Sequence, residues 1–177
     1  MLIDSFLPEY DFSETHDIKI RATAKDVFRT LNEVDLCESP IIRLLLFLRG
    51  ISPGKTTLHE TQFPLEMLGE NENRELLLGL TGRFWTLTGG LRKIGADKFR
   101  EFNEKGLAKA AWNFSLDEQG DGETRLTTET RIRCTDAESR RSFRFYWTFV
   151  QPFSGLIRME ILKTIKRKAE GADFNRD

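Results

Sequence analysis

The first patterned stretch of the chain alternates between apolar and polar side chains, which is typical of a strand with one buried and one solvated face. It extends from about Asp11 to Arg21. The predicted buried face carries Phe12, His16, Ile18 and Ile20. The pattern therefore predicts that the core begins with a strand in a sheet that is covered on one side.

Helical spacing replaces this alternation, and two short helices are predicted after the strand. The first carries Val27, Phe28, Leu31 and Val34 on one face. Thr23 precedes it as a cap, and Asp26 places a negative charge in the first turn, where the helix dipole favours an acid. The second helix is predicted from Ser39-Pro40 to Gly50, and it is apolar on more than one side, which indicates burial.

Five strand-like runs follow in the middle of the chain, separated by short turns. The clearest turn is Gln119-Gly120-Asp121-Gly122, whose composition is typical of a β-hairpin. Turns of this length join antiparallel neighbours, because a parallel crossover needs a longer connection. The predicted runs are Phe63–Leu68, Glu75–Leu87, Lys98–Asn103, Leu107–Leu116 and Glu123–Cys134.

The last two runs alternate most cleanly and predict which side chains face the core. The inward positions are Ala108, Ala110, Trp112, Phe114 and Leu116 on one run, and Leu126, Thr128, Thr130, Ile132 and Cys134 on the other. The opposite positions of the last run carry Arg125, Thr127, Glu129, Arg131 and Arg133. A face with so many charges is predicted to be solvated.

A long helix from about Asp136 to Lys168 ends the pattern. Thr135 and Glu138 have the spacing of a capping box, Pro152 predicts a kink, and Gly171 is the predicted stop. One apolar stripe extends through Phe143, Tyr146, Trp147, Val150, Phe153, Ile157, Ile161 and Ile165. Because this helix is the only element long enough to cover a curved sheet, the predicted fold is α+β, with an antiparallel sheet wrapped around the C-terminal helix.

Composition and charge narrow the class of protein. The 177 residues fit one domain with one core, and a net charge of -1 gives no electrostatic reason to expect a nucleic-acid partner. The longest apolar run, Leu44 to Leu48, is too short to span a bilayer, so no stable membrane insertion is expected. The first ten residues lack the basic segment of a signal peptide, and a cytoplasmic protein is therefore expected.

The order of these elements, and four stretches of sequence, resemble the START-like (SRPBCC) superfamily with the helix-grip fold. The stretches are Ala24-Lys25-Asp26-Val27-Phe28, the run from Arg74 to Trp85, the run from Thr124 to Ile132, and the final helix. The resemblance covers nearly the whole chain and implies a single START-like domain over residues 1–177. It also implies a cavity between sheet and helix for lipids, sterols, polyketides or other apolar molecules, and it carries over no catalytic residue.

Several side chains are candidates for lining that cavity. For each aromatic side chain alone, packing in the core is the simpler interpretation, but together they form the apolar surface with a few polar groups that is usual for ligand sites. The predicted ligand-binding residues are Phe84, Trp85, Trp112, Phe114, Thr128, Thr130, Tyr146, Trp147 and Phe153. The predicted polar anchors are His16, Glu66 and Arg83.

Other chemistry finds little support in the sequence. His16 and His59 are the only histidines, and with Cys37 and Cys134 far apart no metal spacing exists, so no metal or cofactor is predicted. Neither a nucleophile elbow nor a phosphate-binding Gly-rich pattern is present. The basic residues Lys163, Lys166, Arg167 and Lys168 fit a solvated helix end, with a membrane-touching patch as the alternative.

Three functions remain open from the sequence. The first is a binding or carrier protein for a small hydrophobic molecule, without catalysis. The second is an enzyme of the cyclase or dehydratase type, in which pocket shape and one acid or base guide a reactive ligand. The third is a structural or regulatory protein with no natural small ligand. A buried carboxylate or histidine in the site would favour the enzyme.

Overall fold

The computed structural model describes residues 1–35, 39–40, 43, 65–86 and 90–173. Within these residues, five strands form one antiparallel sheet in the order β1-β5-β4-β3-β2. The strands are β1 Phe12–Ile20, β2 Glu66–Asn71, β3 Glu75–Gly82, β4 Ala108–Gly120 and β5 Glu123–Cys134. The helices are α1 Leu2–Phe6, α2 Ala24–Glu33, α3 Ala96–Phe99 and α4 Ala137–Asp173. The predicted α+β helix-grip fold is confirmed, with a long C-terminal helix packed on an antiparallel sheet.

The side of the sheet that packs on α2 and α4 is called the helix-side face. Its core combines buried side chains of the sheet, such as Leu76 and Phe114, with Leu31 of α2 and Ile161 and Ile165 of α4. Thr23 caps α2 as predicted, because its side chain accepts a hydrogen bond from the Asp26 amide. The predicted helix from Ser39-Pro40 to Gly50 lies almost wholly outside the described residues.

The opposite side of the sheet, called the outer face, is also covered. Ile3, Phe6 and Leu7 from the N-terminal segment and Phe99 of α3 pack there on Leu77 and Ala111. Glu75 accepts the Leu2 amide at 2.9 Å, and Lys109 donates to the carbonyl of Arg100 at 2.7 Å. The sequence predicted neither α1 nor this second core, because α1 is only one turn long and its apolar residues show no extended period.

Two charged residues show why the outer face of β5 is not simply solvated. Arg131 is only 11% exposed, and it forms ion pairs with Glu129 of its own strand at 2.7 Å and with Asp4 of α1 at 2.8 Å. Its guanidinium also lies 4.9 Å from the ring centre of Tyr10. The prediction of a solvated face was wrong here, because the N-terminal segment lies across these charges and pairs with them.

Several predicted boundaries were also wrong. Residues 98–103 contain no strand, and α3 places Phe99 under the outer face instead. A run of six residues is too short for its periodicity to distinguish a strand from a helix. The third strand ends at Gly82, whose φ of 147° turns the backbone, rather than at Leu87. The last helix continues through Pro152 and past Gly171 to Asp173.

The cap of α4 is one residue later than predicted. Asp136 accepts the Ser139 amide at 2.7 Å, whereas the Thr135 hydroxyl donates to the carbonyl of Leu107 at 2.8 Å. The motif is therefore Asp136-x-x-Ser139 rather than a capping box from Thr135 to Glu138. Aspartate is a better cap than threonine, and the contact with Leu107 ties Thr135 to the start of β4 instead.

Candidate functional site

The register of the sheet brings one row of side chains across the helix-side face. Glu14 of β1 lies opposite Thr130 of β5, Thr130 opposite Trp112 of β4, and Trp112 opposite Leu78 of β3. The neighbouring row contains His16, Thr128 and Phe114. These rows lie under the middle of α4, and they combine polar and aromatic side chains at a place where a sheet face is normally apolar.

Glu14 is the centre of this polar cluster. Its carboxylate is 3.0 Å from Nε2 of His16 and accepts a hydrogen bond of 2.8 Å from the Ser154 hydroxyl. It also lies 3.4 Å from Nε of Arg158. Only 8% of the Glu14 side chain is exposed, so three groups share a carboxylate that the fold has removed from solvent.

Arg158 carries the positive charge of the cluster. Its Nε and Nη1 are buried and have no hydrogen-bond partner among the described residues, and the contact of Nε with Glu14, at 3.4 Å, is long for a hydrogen bond. The guanidinium carbon lies 5.0 Å from the ring centre of Trp112. Burial lowers the pKa of Arg158 to about 10, although the Glu14 charge opposes this shift.

Trp112 and the two threonines complete the site. The indole N–H of Trp112 donates to the Thr128 hydroxyl at 2.7 Å, and that hydroxyl donates to the carbonyl of Asn113 at 3.0 Å. Thr128 is fully buried, and its hydroxyl both accepts and donates a hydrogen bond. The bond from the indole N–H fixes the orientation of the Trp112 ring. The Thr130 hydroxyl, by contrast, is buried without a hydrogen-bond partner in the described part of the chain.

Gly155 explains how α4 comes close enough to make these contacts. A Cβ at this position would lie 3.0 Å from a carboxylate oxygen of Glu14 and 3.4 Å from Nε2 of His16. Any larger side chain would push the helix away from β1. Glycine lowers the helix propensity at this position, but its small size lets the neighbouring Ser154 reach the Glu14 carboxylate.

Apolar clusters lie on either side of the polar residues. Toward the start of α4, a cluster around the fully buried Phe143 includes Ile132, Phe84 and Cys134. Toward its end lies the larger cluster that includes Phe28 of α2. The side chains at the edge of the larger cluster that are only partly buried include Ile18, Met67, Trp112 and Ile157. The charged groups thus sit between two apolar regions.

The structure brings together some of the residues predicted for this site and separates others. Trp112, Phe114, Thr128, Thr130 and His16 share the two central rows. Phe84, Trp85, Tyr146 and Trp147 instead surround Phe143, with ring centres 5.6 to 6.4 Å from it. They lie on the same face of the sheet, closer to the start of α4.

Three predicted residues lie elsewhere. Phe153 is 55% exposed, so it does not face the sheet as the predicted stripe required. Arg83 is exposed in the turn after β3 and donates to the carbonyl of Gly106 at 3.0 Å. Glu66 is paired with Gly79, in the row of Ala111, and therefore lies on the outer face.

Glu14, Ser154, Gly155 and Arg158 were missed by sequence reasoning. Glu14 had a detectable signal, because it occupies an inward position of the same alternation that contains Phe12 and His16. A charged residue at an inward position is a mark of a functional or specifically paired group. Arg158 had no such signal, because its position on the helix becomes meaningful only with the register of β1 beneath it.

Other features of the described residues add little chemistry. Two open surface pockets have volumes of about 380 and 500 Å³, one lined by residues such as Arg83 and Arg92 and the other by the hairpin turn after Gln119. Burial, with the nearby Asp11 charge, raises the pKa of Cys134 to about 12, which makes its thiol unreactive. The described residues contain no cluster of metal-binding side chains. None of the described helices has the length and apolarity needed to cross a bilayer.

Comparisons with known proteins give similarity in structure alone. No protein-family model matches the chain, and no curated protein matches its sequence. A conserved protein from Geobacillus kaustophilus is 10% identical with a TM-score of 0.49, covering 91% of this chain and 97% of that one. A Thalictrum norcoclaurine synthase mutant bound to a transition-state analogue is 12% identical with a TM-score of 0.47, covering 92% and 96%.

A third similar structure is the Zhui aromatase/cyclase from Streptomyces sp. R1128, which is 12% identical with a TM-score of 0.36, covering 90% of this chain and 93% of that chain. Identities this low carry no conclusion about activity. The strand order and the sheet-covering C-terminal helix of the chain itself are the helix-grip arrangement that the resemblance to the START-like superfamily predicted.

Proposed function

We propose that the protein binds a small apolar molecule that carries one anionic or hydrogen-bond-accepting group, and holds it between the sheet and α4. The observation that carries this proposal is the buried guanidinium of Arg158, whose Nε and Nη1 have no hydrogen-bond partner among the described residues. The anchors of the ligand are Arg158 and His16, and the apolar part of the ligand lies against Trp112.

The energetic argument begins with the cost of burying a charge. A guanidinium removed from water is stable only where counter-charges and hydrogen bonds replace its hydration. Glu14 supplies a counter-charge at 3.4 Å, and it shares that charge with Ser154 and His16. A carboxylate, sulfonate or enolate oxygen from a ligand would accept the remaining donors, and arginine is well suited to planar anionic groups.

The surroundings of Arg158 fit a ligand that is otherwise apolar. Trp112 presents its ring to the guanidinium, and Ile18, Met67 and Ile157 are partly buried at the edge of the same apolar cluster as Trp112. Thr130, whose hydroxyl has no hydrogen-bond partner within the described part of the chain, lies directly opposite Glu14 in the sheet. Apolar walls with a few placed polar groups are the usual form of a small-molecule site. His16 has 25% of its side chain exposed, which places it toward solvent relative to Glu14.

The test compares two dyes that differ in one charge. The dye 1-anilinonaphthalene-8-sulfonate has aromatic rings and a sulfonate, whereas N-phenyl-1-naphthylamine has the same rings without the anion. We expect the parent protein to bind the sulfonate dye at least about tenfold more tightly, because the charge-assisted hydrogen bonds to Arg158 are worth about 1.5–3 kcal/mol. Fluorescence titration of the native protein measures both affinities.

Two variants and one control make this test specific. Arg158→Met should abolish the preference for the sulfonate dye, and the double variant Glu14→Gln with Arg158→Met should do the same while removing the uncompensated Glu14 charge. Arg144→Met, which removes an exposed arginine of the same helix, should leave the preference intact. Equal affinity of the parent for both dyes, or a preference that survives in the folded double variant, would refute the proposal. Native mass spectrometry of freshly purified protein then identifies any molecule that co-purifies.

A second function, catalysis, is favoured by the contact between Glu14 and His16. In the tautomer that donates from Nε2 to the carboxylate, Nδ1 of His16 is the basic nitrogen. An imidazole that shares Glu14 with Arg158 can remove a proton from a ligand while the arginine stabilises the resulting enolate. The test is incubation of any co-purified molecule with the parent and with His16→Gln. Turnover by the parent that the variant lacks would support an enzyme of the cyclase or dehydratase type, and no turnover would support a carrier.

A further inference from the structure

The side of α4 that faces away from the sheet carries a row of large apolar side chains. Phe145, Phe149, Phe153 and Leu156, called the outer stripe, are 72, 61, 55 and 57% exposed. Their spacings of four, four and three residues place them on one face of the helix, opposite the buried Phe143. The rings of Phe145 and Phe149 already pack on each other, with centres 5.1 Å apart.

The size of the outer stripe distinguishes it from scattered surface apolar residues. A phenylalanine can bury about 150–250 Å², so four side chains that are more than half exposed present on the order of 500 Å². Contiguous patches of this size on a protein surface mark an interaction site. Two such patches facing each other would bury roughly 1,000 Å², near the lower end of specific protein interfaces.

Charged residues border the outer stripe in a self-complementary order. Glu138 and Arg141 precede it, and Glu160 and Lys163 follow it. Helical periodicity places all four close to the face of the stripe. From the start of the helix toward its centre the charges are negative and then positive. From the end of the helix toward its centre they are positive and then negative.

We propose that the outer stripe is the interface of a two-fold symmetric dimer in which the α4 helices of two copies pack antiparallel. Antiparallel alignment about a point near Gln151 places Phe149 opposite Phe153 and Phe145 opposite Leu156 of the second copy. The same alignment places Glu138 opposite Lys163 and Arg141 opposite Glu160. Every contact occurs twice, as a two-fold axis requires.

The charge pattern selects this occupant over the alternatives. A parallel pair of helices would place Glu138 against Glu138 and Arg141 against Arg141, which is repulsive. An anionic lipid surface would meet Glu138 and Glu160 as well as Arg141 and Lys163, and these two negative and two positive charges give it no net attraction. Lys163 forms an ion pair with Glu160 at 3.0 Å. In the proposed dimer, this pair meets Glu138 and Arg141 of the second copy, and the four charges form one network.

The test is sedimentation equilibrium of the full chain, with charge reversal as the specific probe. We expect a concentration-dependent dimer. Arg141→Glu should raise its dissociation constant at least about tenfold, because two like-charge contacts replace two ion pairs. Adding Glu160→Arg to the same chain restores opposite charges across the interface and should return the constant to within a few-fold of the parent value. Arg144→Glu, on the same helix but off this face, is the matched control and should have little effect.

A second variant tests the apolar part of the interface. Phe149→Ser should weaken the dimer by more than about tenfold, because truncating a central aromatic residue removes most of such an interface. Its exposed position predicts an unchanged circular dichroism spectrum. A parent that is monomeric at every concentration, a dimer that is insensitive to Phe149→Ser and Arg141→Glu, or a monomer that instead binds anionic phosphatidylserine vesicles through Phe149 would each overturn the proposal.

Discussion

At the scale of single residues, the pair of Glu14 and Arg158 is the unusual feature of the protein. Both side chains are largely buried, with 8 and 13% exposed, between two apolar clusters of the helix-side face. A buried ion pair adds little to stability compared with apolar side chains of the same size, but loss of one partner leaves the other charge uncompensated. The pair therefore stabilises the fold only as long as both members are present.

This asymmetry predicts the behaviour of single and double variants. Glu14→Met should lower the free energy of unfolding by about 3–5 kcal/mol, because Arg158 then remains buried without its counter-charge. Glu14→Met combined with Arg158→Met should be much more stable than the single variant. Urea denaturation of the two variants and the parent measures the coupling. A double variant that is less stable than Glu14→Met alone would contradict the argument.

Two glycines of α4 provide a matched pair of substitutions. Gly171→Ala should raise the free energy of unfolding by up to about 1 kcal/mol, because its Cβ meets nothing within 4 Å and alanine favours the helix. Gly155→Ala should lower it by about 1 kcal/mol or more, because Glu14 is held by three groups and cannot retreat from a Cβ at 3.0 Å. Thermal denaturation compares both, and stabilisation by Gly155→Ala would show that the helix can move away from β1 at little cost.

At the scale of elements, the start of α4 depends on one carboxylate. Hydrogen bonds from the side chain and backbone of Ser139, and then from the Gly106 amide, lower the pKa of Asp136 from 3.8 to about 2. Asp136 thereby joins the helix to the turn before β4. A helix of 37 residues that contacts the polar cluster around Glu14 near its middle thus has its first turn fixed to the sheet.

The lowered pKa gives a defined dependence on pH. Because the pKa of Asp136 is lower in the folded state, its stabilisation is fully present above the unfolded value of 3.8 and is lost as pH falls through about 2. Asp136→Ala should therefore lower the thermal midpoint at neutral pH, and its difference from the parent should shrink between about pH 4 and pH 2. Asp136→Asn, which keeps an acceptor for the Ser139 amide, should cost less. A difference between parent and Asp136→Ala that is constant over this range would refute this role.

At the scale of the whole molecule, the sheet joins the first strand of the chain to the last one. β1 pairs with β5 over its full length, from Phe12 opposite Ile132 to Ile20 opposite Thr124. β4 and β5, by contrast, form a local hairpin around Asp121 and Gly122. The polar cluster around Glu14 needs both kinds of pairing, since Glu14 comes from β1 and Trp112 from β4.

The difference in sequence separation predicts the order of folding. Closing a loop of more than a hundred residues costs more entropy than closing a hairpin, so the hairpin should form first. Leu116→Ala, in the hairpin, should have a φ-value above about 0.5, and Ile20→Ala, in β1, a value below about 0.3. Stopped-flow measurement of folding and unfolding rates gives both values. A higher φ-value for Ile20 than for Leu116 would reverse the proposed order.

Much of the fold could be predicted from sequence, and the candidate site only in part. His16, Trp112, Thr128 and Thr130 were predicted because each occupies an inward position of a period-two pattern, which is a local property. Phe153 was placed on the inward stripe of the last helix, yet it is exposed. Near the middle of a helix of this length, small errors in assigning the apolar face are enough to exchange inward and outward positions.

The sequence by itself determined the five strands of the sheet, α2 with its Thr23 cap, the long last helix and the antiparallel connections, because each depends on periodicity and turns within a few residues. The same kind of local pattern also predicted a strand over residues 98–103, where the structure has none. Only the tertiary structure decided that α1 and α3 cover the outer face, that Asp136 caps α4, and that Glu14 meets Arg158. These depend on which strands become neighbours and in which register, and on how closely Gly155 lets the helix approach. Pairings between residues more than a hundred positions apart leave no local pattern, so the charged cluster becomes apparent only when the sheet is closed.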